Sequence, residues 1–330
     1  MKIVLTEVPF SVDRNMSVEY QCCPPDGKMV VAVYDENKAD NEAFFKEVED
    51  ADIIVNSYVY FGKPEIDRLK NCKVISFQST GYNEVDLDYA TEKGIGVVSI
   101  LDYSTEETAE NTMALMLCLQ RGLRIYDRSV QVKKEWNYKA VPDMKRIAGQ
   151  TMGIVGLGRI GQAVAKRAKG FEMNVIAYDP FLPPEVAEGI GVKLVDLDTL
   201  LAEADVISLH MNLTDQNYHM FNKDLFMKCK KKPFFVNESR GAIVCEDDLL
   251  WALDNGYIKA AALDMLESEN PDMANYGHLL GRDDLLLTPH YGYYSTTSEY
   301  LAAKLSMDNA LNYYWGKYDL VKVERNHVKH

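Results

Sequence analysis

The chain has 330 residues, 47% of them hydrophobic and 26% charged, and carries a formal net charge of −14. That length suits about two globular domains with a core each, and so acidic a surface repels phosphate backbones and anionic membranes, which argues against nucleic acid or a membrane as partner. The six cysteines, at 22, 23, 72, 118, 229 and 245, form no C-x-x-C and no Cys/His cluster at zinc spacing, so reduced thiols in a cytoplasmic protein without a metal are the expectation.

The start, MKIVLTEVPF, has one Lys and then an apolar run interrupted by Thr6 and Glu7, the pattern of a first β-strand rather than a signal peptide. No window approaches the ~18 apolar residues of a spanning helix. Further apolar runs follow at 29–34, 52–57, 73–80 and 96–100. The segment STEETAENTMALMLCLQRGL (104–123) then predicts a helix, with Ser104 and Glu107 spaced as a capping box. Met113, Leu115, Met116, Leu117 and Leu119 make it apolar around much of its circumference, so it is expected to be buried at an interface between domains or subunits. A second series of runs occupies 151–158, 174–179, 192–196, 205–211, 233–239, 260–265 and 284–290. Both series are rich in Val, Ile and Leu and are separated by polar or helical segments, as in parallel strands covered by helices on both faces. The fold class is therefore α/β, with two doubly wound parallel-sheet domains. STTSEYLAAKLSMDNALNYYWG (295–316) predicts a last amphipathic helix that returns the chain to the first domain.

Within the second series, GLGRIG (156–161) has the G-x-G-x-x-G spacing. On its own this is weak, since glycines are common in turns. Here a strand (TMGIV) precedes it, a helix (GQAVAKRAKGF) follows, and the next strand ends at Asp179, about 20 residues on. Gly156 suits the tight turn, Gly158 the close approach of a pyrophosphate and Gly161 the packing of helix on strand, while the helix N-terminus offers N–H groups to phosphate. The carboxylate of Asp179 accepts from ribose hydroxyls and repels a 2′-phosphate, and PFLPP after it offers no Arg, so NAD(H) is expected over NADP(H).

Hydride transfer to a ketone needs an acid, a cation for the substrate and a group that tunes the acid. Residues at the carboxyl ends of the later strands supply all three: Arg240 can grip a carboxylate bidentately, His290 can donate a proton near neutral pH, and Glu269 can favour the imidazolium. Asp264 ends the strand AAALDM, and His210 ends DVISLH near the expected cofactor, whereas His219, His278, His327 and His330 read as surface or tail residues.

These residues, with the stretches GQTMGIVGLGRIGQAVAKRAKGFEMNVIAYDP, ADVISLHMNLT, VNESRGAIVCEDDLLWALDNGYIKAAALDMLESENP and LLLTPHYGYYS, resemble the D-isomer-specific 2-hydroxyacid dehydrogenase family over nearly the whole second series. STGYNEVDLDYATEKGIGV (79–97) resembles it more loosely. STEETAENT and HYGYYS resemble in particular the branches of the C-terminal-binding-protein corepressors and the D-lactate dehydrogenases. The resemblance implies a Rossmann NAD-binding domain (103–292) inserted into a flavodoxin-like substrate domain built from 1–102 and 293–330, with hinges near 101–104 and 291–295. It implies Arg240 as substrate anchor, His290 as acid/base and Glu269 as its partner, and Ser79, Thr80, Gly81 and Tyr293 at the substrate. The implied cofactor set adds Arg159, Ile160, Met211, Asn212, Asn217, Glu238, Ser239 and Asp264 to Gly156, Gly158, Gly161, Asp179, His210, Arg240 and His290. Two positions depart from the family pattern: Asn212 stands where Pro is usual, and Cys245 where Val-Asp-Glu is usual. The chain ends soon after its last helix, so the extra regulatory domain of some phosphoglycerate dehydrogenases is not expected.

The expected function is an NAD-dependent D-2-hydroxyacid dehydrogenase acting on a small 2-keto or 2-hydroxy acid, as a homodimer formed through the 104–123 helix. The alternative is an NAD(H)-sensing binding protein on the same fold, corepressor-like and with little or no turnover.

Overall fold

The computed structural model describes residues 1–268 and 271–324. The twelve strands among the described residues fall on the apolar runs: β1 (Lys2–Glu7), β2 (Lys28–Val33), β3 (Ile53–Asn56), β4 (Val74–Phe77) and β5 (Gly96–Val98), then β6 (Thr151–Val155), β7 (Asn174–Tyr178), β8 (Lys193–Leu194), β9 (Val206–Leu209), β10 (Phe234–Asn237), β11 (Ala260–Leu263) and β12 (Leu285–Leu287). These strands pair with one another in parallel, in two sheets ordered β2-β1-β3-β4-β5 and β12-β11-β10-β9-β6-β7-β8, and Val98 of β5 makes an isolated antiparallel bridge to Val323. The expectation of two doubly wound α/β sheets is met, with no barrel.

The chain forms two compact units, Met1–Tyr103 together with the chain from Ser295 onward, and Ser104–Tyr294. In the first unit, one face of the sheet buries Phe44, Phe61 and Phe77, and the other buries Ile3, Leu5 and Ile53 against Met307, Ala310 and Leu311 of the helix Thr296–Tyr314. Ser295 caps that helix by accepting from the Ser298 amide at 2.9 Å. Ser76 Oγ donates to Ser306 O at 2.8 Å, so the helix is tied to β4 by polar contacts as well as packing.

In the second unit one face of the sheet is covered by a cluster around Phe221, Phe226 and Phe235, and the other by a cluster that includes Met113, Leu115 and Met116. Those three belong to the helix Thr105–Arg121, which packs against the helix Arg159–Gly170 and strands β10 and β11. Its apolar circumference is thus largely accounted for inside its own unit. Its start differs from the expected capping box: Ser104 sits at the N-cap with ψ 16° and makes no side-chain cap bond, because that backbone turns the hydroxyl away from the N2 and N3 amides. The helix stops at Gly122, left-handed at φ 60°. Among the described residues, no helix is long and apolar enough to cross a membrane.

Candidate active site

Open α/β sheets bind ligands beyond the carboxyl ends of their strands, where the strand order reverses. In the second sheet that point lies between β6 and β9. GLGRIG leaves β6 there. Gly156 has φ +93°, and a Cβ on it would come 2.8 Å from the His210 carbonyl carbon and oxygen, so only glycine lets this turn meet the chain leaving β9. A Cβ on Gly161 would lie 2.2 Å from Gly156 O, which is why the helix Arg159–Gly170 can start directly under the turn. Over Gly158 a Cβ would meet nothing within 4 Å. That open space faces a helix N-terminus whose first N–H groups have no acceptor within the helix.

Asp179 closes the other side. Its Oδ2 accepts from Leu157 N at 2.9 Å, and its Oδ1 from Phe181 N at 3.0 Å and Leu182 N at 3.1 Å. The carboxylate is thereby aimed from the tip of β7 at the glycine loop. Open space over Gly158, a helix N-terminus and a fixed carboxylate together fit a dinucleotide.

After β9, His210 is half-buried, and desolvation of its ring pushes the imidazole down to about 3. Its Nε2 lies 2.7 Å from Ser208 Oγ, while Nδ1 has no hydrogen-bond partner among the described residues. Asn217 braces the following loop: its Nδ2 donates to Asn212 O at 2.7 Å and lies 3.3 Å from Met211 Sδ, and its Oδ1 accepts from Thr214 N at 2.7 Å.

After β10, the buried Asn237 side chain shapes the turn that presents Arg240. Its Oδ1 accepts from Ser239 N (3.0 Å) and Ser239 Oγ (2.8 Å), and its Nδ2 donates to Arg240 O (3.0 Å). Next to Arg240, a Cβ on Gly241 would sit 1.8 Å from Leu266 O, so this glycine lets the loop after β10 lie on the loop after β11. Glu238 is buried with its Oε1 2.6 Å from Asn111 Nδ2. Burial, reinforced by the Asp264 carboxylate, pushes the Glu238 carboxyl up to about 9.

Asp264 organises the loop after β12. Its carboxylate accepts from Thr288 Oγ1 (2.5 Å), Gly292 N (2.8 Å) and Tyr291 N (3.2 Å), and its carbonyl accepts from His290 N (2.6 Å). These bonds hold His290 in the left-handed region at φ 51°, a conformation that non-glycine residues adopt where surrounding structure imposes it, often at functional sites. The Tyr293 ring meets the His290 ring edge-on, with centroids 5.9 Å apart.

Arg240, Asp264 and His290 thus sit on neighbouring loops at the carboxyl end of one sheet, with Glu238 and Ser239 beside Arg240 and with the glycine loop further along the same edge. Glu269 lies outside the described residues, as do His327 and His330. In the first unit, Ser79, Thr80 and Gly81 follow β4 in a turn closed by Ser79 Oγ donating to Gly81 O at 2.7 Å. Just ahead of it Gln78 donates to Glu19 Oε1 at 2.8 Å, and Glu19 and Glu7 hold Arg14 at 2.5 and 2.7 Å. Sequence reading did not single out Asn111, Asn237, Thr288 or this buried ion cluster. An Asn at the end of the apolar strand Phe-Phe-Val is the available signal for Asn237; the others announce themselves only through contacts distant in sequence.

Comparison with known proteins adds a family to this geometry. A family model described as D-isomer specific 2-hydroxyacid dehydrogenase, NAD binding domain, matches residues 113–292. The chain is 40% identical over 253 residues to a D-3-phosphoglycerate dehydrogenase of Methanocaldococcus jannaschii, covering 76% of this chain and 47% of that protein. It is 36% identical over 255 residues to a hydroxypyruvate reductase of Thermotoga maritima, covering 77% and 81%. Among solved structures it resembles a D-lactate dehydrogenase of Aquifex aeolicus complexed with NAD and lactic acid, with TM-score 0.80, 27% identity and 96% of each chain covered. The chain spans less than half the length of the two D-3-phosphoglycerate dehydrogenases it matches, 47% and 44%.

Proposed function

The chain belongs to the D-isomer specific 2-hydroxyacid dehydrogenase family, and from that premise we propose that it catalyses reversible hydride transfer between NADH and C2 of a small 2-keto acid. The observation that carries the reading is the set of hydrogen bonds that Asp264 accepts from Thr288, His290, Tyr291 and Gly292, which fixes His290 on the loop next to the one bearing Arg240. NAD(H), when bound, supplies or takes the hydride. The residues suited to hold it are Gly156, Gly158, Arg159, Ile160 and Gly161 at the pyrophosphate, Asp179 at a ribose, and the stretch from His210 through Asn212 with Asn217, together with Glu238, Ser239 and Asp264, further along the edge.

Arg240 grips the substrate carboxylate through its guanidinium fork and draws electron density from the ketone. His290 holds the proton that the ketone oxygen takes up during reduction and recovers it in oxidation. Glu269 orients and charges that imidazole. Asp264 acts through His290, holding its backbone. The turn Ser79–Thr80–Gly81 is the first unit's candidate for amides that meet the carboxylate. Tyr293, edge-on to His290, is suited to limit the bulk of the substrate side chain. The compartment that fits this acidic, thiol-bearing chain is the cytoplasm, and the assembly we propose is a homodimer.

The test is NADH oxidation against pyruvate-like, hydroxypyruvate-like and longer 2-keto acids. His290→Ala should lower turnover by about 10²–10⁴-fold and leave the Kd for NADH within a few-fold. Arg240→Ala should raise KM as well as lower kcat. Silence across the panel together with tight NADH binding would sink the enzymatic reading and support the NAD(H)-sensing alternative.

A further inference from the structure

Cys245, which departs from the family pattern, faces two residues that the proposed reaction does not use. His219 follows β9, Cys245 follows β10 and Glu267 follows β11, and one ligand atom of each lies within 4.8 Å of the other two. The His219 ring is partly exposed and stacks on Tyr218, with centroids 4.0 Å apart. We propose that His219, Cys245 and Glu267 form a binding site for one divalent transition-metal ion of the zinc class.

The first support is an orphaned nitrogen. His219 Nε2 lies 3.0 Å from Glu267 Oε1 but off the line that a hydrogen bond needs, and among the described residues this buried atom has no hydrogen-bond partner. A buried polar atom left so is costly, and a metal between the two would satisfy both. The second is donor chemistry. One imidazole, one thiol and one carboxylate suit zinc-class ions, whereas magnesium and calcium take oxygen ligands throughout. The third is spacing. Metal–ligand bonds of roughly 2.0–2.3 Å put tetrahedral ligand atoms about 3.3–3.6 Å apart, so an ion requires the 3.0 Å His219–Glu267 edge to open by a few tenths of an ångström and the edges to Cys245, within 4.8 Å, to close by at most about 1 Å.

The fourth support is that the ligands are braced from outside. Glu267 Oε1 accepts from Glu246 N at 3.1 Å, and Glu246 Oε1 accepts in turn from Glu267 N at 2.7 Å. His219 N donates to Ala242 O at 2.8 Å, and Cys245 N to Phe221 O at 3.0 Å. Such outer bonds orient metal ligands. All three ligands are partly exposed, which leaves an entry path and a fourth position for water. On binding, the Cys245 sulfur enters as thiolate and its proton passes to solvent. The ion would staple the loops after β9, β10 and β11 to one another, close behind Gly241 and Arg240.

The experiment uses the full chain, stripped with a chelator and then titrated with Zn²⁺ against a chromophoric indicator and, separately, with Co²⁺ under absorption spectroscopy. The expected result is one tight Zn²⁺ per chain and a thiolate-to-cobalt charge-transfer band. Cys245→Ser and His219→Gln should each weaken Zn²⁺ by more than about 100-fold and Cys245→Ser should abolish the band, with circular dichroism of the metal-free variants showing that they fold. Cys118→Ser should change neither readout. Absence of tight binding, binding that survives both substitutions, or a cobalt spectrum without thiolate character would each overturn the site. No readout depends on turnover, so the outcome is separate from that of the proposed reaction.

Discussion

Glu238, buried, and His210, half-buried, lie near the switch point and give the protein a pH dependence whose sign can be worked out. The Glu238 carboxyl is raised from an ordinary 4.5 to about 9. Between those values the folded protein keeps a proton that the unfolded chain releases, so this group's contribution is full below 4.5 and is lost as pH rises toward 9. The His210 imidazole is lowered from 6.5 to about 3, so its contribution is full above 6.5 and is lost as pH falls toward 3. The slopes oppose and cancel between 4.5 and 6.5, leaving a plateau with a decline on each side of at most about 1.4 kcal/mol per pH unit. Glu238→Gln keeps an amide in the shape of the neutral carboxyl. It should therefore raise the urea midpoint at pH 8 and change it far less at pH 5; equal destabilisation at both would show that the carboxyl is not held neutral.

At the scale of elements, the glycine loop separates packing from binding. A Cβ on Gly161 meets Gly156 O at 2.2 Å, whereas one on Gly158 meets nothing. Gly161→Ala should push the helix Arg159–Gly170 off the turn, lowering Tm by several degrees and weakening NADH more than about tenfold, the cost of an overpacked contact of 1–3 kcal/mol. Gly158→Ala should leave Tm within a degree or so and still weaken NADH, because only the cofactor's approach is obstructed. If Gly158→Ala binds NADH as wild type does, the pyrophosphate does not sit there. The same contrast explains what could be read from the chain alone. Strands buried on both faces are written as Val, Ile and Leu runs, so all twelve were visible, and the G-x-G-x-x-G spacing with Asp179 marked the loop because its parts are neighbours in sequence. The Ser104–Glu107 pair had the spacing of a capping box but not the backbone angles, which depend on how the chain enters the helix. Asn111 against Glu238, and His219 against Cys245 and Glu267, are brought together only by strand order, which no local pattern encodes.

For the whole molecule, a run of exposed apolar residues lies not on the helix Thr105–Arg121, whose buried side chains are spent on its own sheet, but on the helix Leu123–Gln131 and the segment after it. Leu123, Val132, Trp136 and Tyr138 are 55%, 70%, 93% and 82% exposed. The segment is nonetheless held to the fold: Tyr126 Oη donates to Tyr138 O at 2.8 Å, and Arg128 pairs with Asp283 at 2.8 Å. Large apolar side chains displayed on an anchored backbone mark an association surface, and a second copy of this chain is the occupant proposed here. Two copies each carrying −14 repel one another, so burial of these side chains must outweigh that repulsion, and salt, which screens it over about 10 Å at 0.1 M, should tighten the pair. Light scattering behind size exclusion should then give twice the 37.4 kDa chain mass, with the dimer persisting to lower concentration as salt is raised. The double substitution Val132→Asp and Trp136→Glu adds charge to this face without touching a buried residue, and should yield a folded monomer. A wild-type monomer, or a dimer indifferent to the double substitution, would show that this face is not where the copies meet.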